Sequence, residues 1–116
     1  MSESRTIAFL NDILEAVQRI QVYTEKMSFD DFIEDIKTQD AVLRNLEIIG
    51  EAVKNIPDSI RQKVPSVPWK SIAGMRDKLI HQYFGVNFDI VWCVVKDDLS
   101  GLINAVNLIL KNENDS

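Results

Sequence analysis

Asp40-Ala41-Val42-Leu43-Arg44-Asn45-Leu46-Glu47-Ile48-Ile49-Gly50-Glu51-Ala52-Val53-Lys54-Asn55-Ile56-Pro57 is the stretch on which the fold turns. Val42, Leu46, Ile49, Val53 and Ile56 recur at steps of three and four and fall on one stripe. Arg44, Glu47, Glu51 and Lys54 lie opposite, so the segment reads as a strongly amphipathic helix. Gly50 sits at the edge of the stripe, where a missing side chain lets another helix approach closely. Asp40 is expected to open this helix, and Pro57 to end it or start the next turn.

The same periodicity extends in both directions. Upstream, Ile7, Leu10, Ile13, Leu14, Val17 and Ile20 predict a long first helix from about Ser4 to Lys26. Ser28 followed by Asp30 and Asp31 predicts a capped short helix ending near Lys37. Downstream, Pro57 to Pro68 reads as irregular, with one helical turn at Asp58 to Lys63 and a rigid connector marked by Pro65 and Pro68. Trp69 begins a fourth helix, with Pro68 near its first turn, and Gly85 is expected to stop it. Asn87 caps a last segment running to about Lys111. A bend is expected near Asp98 to Gly101, with Asp98 or Ser100 as an internal cap. The tail from Asn112 to Ser116 is expected to fray. No region alternates long enough to argue for strands. The expectation is an all-α, up-and-down bundle of about four to five helices, as one domain over residues 1–116.

Composition bounds the function. With 46% hydrophobic residues, a chain of 116 can bury a core, yet at that size an apolar dimer interface would help it. The formal net charge of -5 argues against gripping duplex nucleic acid through a wholly basic surface. Cys93 is the one cysteine, so no disulfide forms within the chain, which fits a reducing cytosol. Lying in the apolar run Ile90 to Val95, it reads as a buried structural thiol. One Cys and one His are too few for a zinc site. No apolar run approaches the ~20 residues of a membrane span. Met1-Ser2-Glu3-Ser4 lacks the basic-then-apolar order of a signal peptide, so the expected location is the cytoplasm.

Chemistry concentrates in Gly74-Met75-Arg76-Asp77-Lys78-Leu79-Ile80-His81-Gln82-Tyr83, which holds the chain's single histidine. Histidine exchanges a proton near neutral pH, and arginine is the cation best shaped to grip phosphate. With Ile72 at 0° and about 100° per residue, Met75, Leu79 and Tyr83 fall at about 300°, 340° and 20°, on one apolar arc. Arg76 lands near 40°, inside that arc, where it needs a carboxylate, a solvent-filled cleft or an anionic ligand. His81 lands near 180°, about 140° from Arg76. Pairing of two copies of the helix would bring two Arg and two His into one groove. Asp77, four residues before His81, is placed to orient the imidazole or raise its basicity. From Arg61 to His81 there are five basic residues and one acidic, a local net of +4 in an acidic chain. Such a patch suits a flexible single-stranded polyanion. Alternatives stay open: the Asp–His pair as ordinary surface, Tyr83 as core, Trp69 and Trp92 as core or interface anchors, and Asp98 as a helix cap or the buried partner of a cation.

These residues resemble a known family. Arg76-Asp77-Lys78-Leu79-Ile80-His81-Gln82-Tyr83 fits the R-x4-H-x-Y motif of the HepT-like proteins of the HEPN superfamily. Asp40 to Ala52 resembles the family's third-helix signature, Tyr83 to Asn87 its helix exit, and Val91-Trp92 with Lys96-Asp97-Asp98-Leu99 its last helix. Ser100 stands where that family would have proline, which bears on a kink and not on the chemistry. The resemblance implies a helical homodimer, or a higher even oligomer, with the motif residues of both subunits lining a shared cleft. It implies a metal-independent endoribonuclease toxin that needs no cofactor, with RNA as substrate. Its partner would be an MNT-type nucleotidyltransferase antitoxin that silences it by AMPylation. By that resemblance Arg76 and His81 are catalytic, Tyr83 is the modified residue and Asp77 supports. The alternatives are a non-catalytic nucleotide-binding or partner subunit of a nucleotidyltransferase, and a helical dimer in which Arg76 and Asp98 pair only for structure.

Overall fold

The computed structural model describes the backbone of residues 2–81 and 86–115, and the side chains of 4–75, 77 and 86–112. Among the described residues the regular elements are all helical: α1 (Ser2–Thr24), α2 (Phe29–Glu34), α3 (Ile36–Lys54), α4 (Asp58–Arg61), α5 (Trp69–His81), α6 (Phe88–Cys93), a π-helical turn (Val94–Asp98) and α7 (Leu99–Asp115). The amphipathic stripe does what its spacing dictates. Val42, Leu46, Ile49 and Val53 are fully buried, and Arg44 pairs with Glu47 at 3.5 Å on the outer side. α3 packs against both α1 and α5, and α1 packs in turn on α7. Leu10, Ile13, Val17 and Ile20 of α1 meet Leu102, Val106 and Ile109 of α7 in the same core.

Capping residues set the first boundaries. Ser28 and Asp31 form a reciprocal capping box: the Asp31 N–H donates to Ser28 Oγ at 3.1 Å and the Ser28 N–H to Asp31 Oδ2 at 3.0 Å. α2 ends at Glu34, not Lys37, and α3 starts at Ile36, not Asp40. The cause is Asp35, whose carboxylate accepts from the Thr38 N–H at 3.0 Å and from Thr38 Oγ1 at 2.8 Å. These bonds hold the Asp35 carboxyl below its ordinary pKa. Gln39, buried, donates from Nε2 to the Phe32 and Ile33 carbonyls at 2.9 and 2.8 Å, satisfying the end of α2. Phe32, fully buried, lies 5.9 Å from the Phe88 ring and 5.0 Å from that of Trp92, which ties α2 to α6.

The last segment carries a π turn at Val94–Asp98, just before the stretch where a bend was expected, and corrects two expectations of burial. A π turn advances roughly 80° per residue instead of about 100°, because each bond spans one more residue. On an ideal α-helix Asp98 would lie about 20° from Val91 and Leu99 about 80° away. Through the π turn Asp98 moves to about 90° off, and Leu99 comes back under Val91. The burial agrees: Val91, Val95 and Leu99 are buried and Asp98 is exposed. Asp98 is therefore not a buried partner for a cation. Cys93 is likewise exposed, not buried, because it lies about 200° round the helix from Val91. The described backbone of α7 runs Leu99–Asp115. The Lys96 ammonium lies 4.6 Å over the Trp92 ring and 3.4 Å from the Thr24 carbonyl, placing a cation at the C-terminal end of α1. The expected stop at Gly85 falls outside the described residues.

Candidate active site on α5

α5 is fixed at its start by the connector before it. The Trp69 indole donates to the Val64 carbonyl at 2.9 Å, and the Ile72 N–H donates to the Pro68 carbonyl at 3.1 Å. Trp69 and Ile72 are buried, and Met75 packs partly against the core. Trp69 is thus the core anchor that its size suggested. Trp92 is half-buried, edge-on to Phe29 at 6.2 Å and beside Phe32.

The backbone of α5 is unbroken from Trp69 to His81. Arg76 and His81 therefore stand on one continuous helix, about 7.5 Å apart along its axis and about 140° apart around it. Arg76 follows Ile72 by one turn, next to the face that contacts α3. Asp77 is half-buried one turn before His81, in the register expected of a supporting residue. The side chains of Arg76 and His81 lie outside the described residues, and so does all of Tyr83. Gly74, two residues before Arg76, has nothing within 4 Å of where a Cβ would stand, so the helix faces open space there.

A cavity of about 520 Å³ opens at the start of α5, lined among others by Arg61, Gln62, Lys70 and Ser71. Arg61 is 22% exposed and bonds through Nη2 to Asp58 at 2.9 Å, while its Nε is buried without a partner. The +4 count drew attention to Arg61 and Lys70 as charges only; their convergence on one cavity depends on how the Pro65–Pro68 connector turns, which no periodicity records. A smaller depression of about 280 Å³ between α1 and α3 is lined by Asp12, Glu47, Glu51 and Arg44, a poor match for a polyanion. Among the described residues no group of three or more His, Cys, Asp or Glu is placed to hold a metal ion. No described helix is long and apolar enough to cross a membrane.

Residues 13–109 match the family described as Ribonuclease HepT-like. The chain belongs to the HepT-like ribonuclease family. It is 50% identical over 105 residues to "Putative RNase MJ0127" of Methanocaldococcus jannaschii, covering 90% of this chain and 87% of that protein. It is 51% identical over 94 residues to "Probable ribonuclease HepT" of Thermococcus cleftensis, covering 81% and 86%. A third relative, "Putative RNase TTE0752" of Caldanaerobacter subterraneus, is 47% identical over 105 residues, covering 90% and 94%. No solved structure matches the chain significantly. The HepT-like assignment makes the chain an enzyme of ribonuclease type and agrees with the resemblance read from its motif.

Proposed function

We propose that this HepT-like chain is a metal-independent endoribonuclease acting in the cytoplasm, the toxin of a pair whose antitoxin is an MNT-type nucleotidyltransferase. The observation that carries the reading is the placement of the chain's single histidine, His81, and Arg76 on one uninterrupted helix in a ribonuclease family.

RNA brings its own nucleophile. A base removes the proton of the 2′-hydroxyl, and that oxygen attacks phosphorus. The bond to the 5′-oxygen then breaks, and this oxygen takes up a proton. The products are a 2′,3′-cyclic phosphate and a 5′-hydroxyl. His81 is the group able to give and take those protons at neutral pH. Arg76 neutralises the charge that accumulates on the phosphate oxygens. The 140° between them on one helix favours a cleft shared by two protomers, each helix supplying one Arg and one His. Asp77 orients the imidazole.

Tyr83 is the proposed AMPylation site. It follows Arg76 by seven positions in the R-x4-H-x-Y motif. An attached AMP adds a phosphate that competes with RNA for Arg76, and a base that fills the cleft.

The test is cleavage of RNA in the presence of chelator. The wild type is expected to cut, with Arg76→Ala and His81→Ala each slower by about 10²-fold or more. Equal cleavage by all three would reject the site. Tyr83→Phe is expected to retain cleavage and resist silencing by the nucleotidyltransferase. A dead Tyr83→Phe would make the tyrosine catalytic or structural instead.

A further inference from the structure

The cavity at the start of α5 and His81 lie on the same side of one helix. With Lys70 at 0°, Gly74 falls at about 40°, Asp77 at about 340° and His81 at about 20°. Lys70 and His81 are eleven positions apart, about 16.5 Å along the axis. Lys70 is exposed, and Arg61 faces the same cavity with its Nε unpartnered. Between the two ends Gly74 leaves the helix surface bare, and Asp77, the acidic residue on this face, is half-buried and already partnered.

We infer that this cavity is a phosphate-binding subsite for single-stranded RNA, in which Lys70 and Arg61 hold a backbone phosphate remote from the scissile bond while the strand runs along the Gly74 face to His81. The inference rests on the nuclease reading for the identity of the polyanion. A stacked strand rises roughly 3.4 Å per nucleotide, so 16.5 Å corresponds to about five nucleotides, and fewer in an extended strand. Such a subsite recognises the backbone and not the bases, so it sets a minimum length and a salt dependence but no sequence preference. Asp58 occupies Arg61 in the free protein and is 78% exposed, so an incoming phosphate displaces a solvent-facing carboxylate.

The experiment measures Kd for 2′-O-methyl oligonucleotides of two and six residues, which lack the attacking hydroxyl and stay intact. The wild type is expected to bind the longer one about tenfold more tightly. Lys70→Gln should remove most of that gain and make the slope of log K against log salt shallower by about 0.7. Asp58→Asn should increase the gain. Gly74→Leu, whose Cβ meets nothing within 4 Å, should abolish it, with unchanged helical circular dichroism. Lys111→Gln, a distant exposed control, should bind as the wild type does. Equal affinity of Lys70→Gln and wild type for the longer strand overturns the subsite, as does an identical loss in Lys111→Gln. Cleavage of the all-ribose hexamer by the wild type, run beside these titrations, separates the two claims. If the length effect holds without turnover, the nuclease reading falls and the subsite stands. If turnover depends on His81 while Lys70→Gln binds normally, the subsite falls and the nuclease reading stands.

Discussion

Lys26 holds a φ of 64° just past the end of α1, in the left-handed region that a Cβ makes unfavourable. The conformation closes the helix: the Met27 N–H reaches the Thr24 carbonyl at 3.1 Å, and Thr24 Oγ1 donates to the Ile20 carbonyl at 2.8 Å. Glycine adopts this geometry without a steric penalty. Lys26→Gly is therefore expected to stabilise the protein by about 1 kcal/mol, read as a higher midpoint in denaturant. An unchanged or lower midpoint would mean that the lysine side chain offsets the strain. At this scale the sequence was a partial guide. The residues proposed to bear the chemistry stand out by type and spacing, because a lone histidine and an arginine within an apolar arc need no coordinates to be noticed. The exposure of Asp98 was not visible, because it depends on the local number of residues per turn, whereas that of Cys93 follows from ordinary helical spacing and was hidden by the apolar run around it.

Among the elements, the junction of α2 and α3 rests on one carboxylate. Asp35 closes α2, where its N–H donates to the Phe32 carbonyl, and caps α3 through Thr38. A hydrophobic pattern locates the buried face of α3 but not its first turn, whose exposed Lys37 and half-buried Thr38 carry no stripe; hence Asp40 looked like the start. The pH dependence follows from the lowered carboxyl. A folded-state pKa below the ordinary 3.8 gives a stabilising contribution that is present above that value and is lost as pH falls through the folded pKa. Asp35→Ala is expected to lower the melting temperature at neutral pH, with the gap to wild type closing below about pH 3.8. A gap that persists at lower pH would assign the effect to packing and not to the cap. The π turn was illegible for a related reason: a spacing of four, four and three among Val91, Val95, Leu99 and Leu102 fits an ordinary helix nearly as well.

For the whole molecule, the helical bundle was legible because most of its stability comes from stripes that sequence displays, those of α1, α3 and α7. The association of copies is not written in those stripes, since a dimer interface and a core face use the same residues. The proposed shared cleft makes a direct forecast. If a working site draws Arg76 from one protomer and His81 from the other, mixing inactive Arg76→Ala and His81→Ala proteins under exchange should restore part of the activity. A mixture as inert as its components would place each site within a single chain. The local +4 stretch bears on the same question, because pairing would double it in a chain whose overall charge repels RNA.

The most direct measurement uses a DNA strand carrying a single ribonucleotide, incubated with the protein in chelator and resolved by mass spectrometry. The account predicts one cut, immediately 3′ of the ribonucleotide, leaving a 2′,3′-cyclic phosphate, and no cut with His81→Ala. Cleavage at deoxyribonucleotides, or an undiminished cut by His81→Ala, would contradict it.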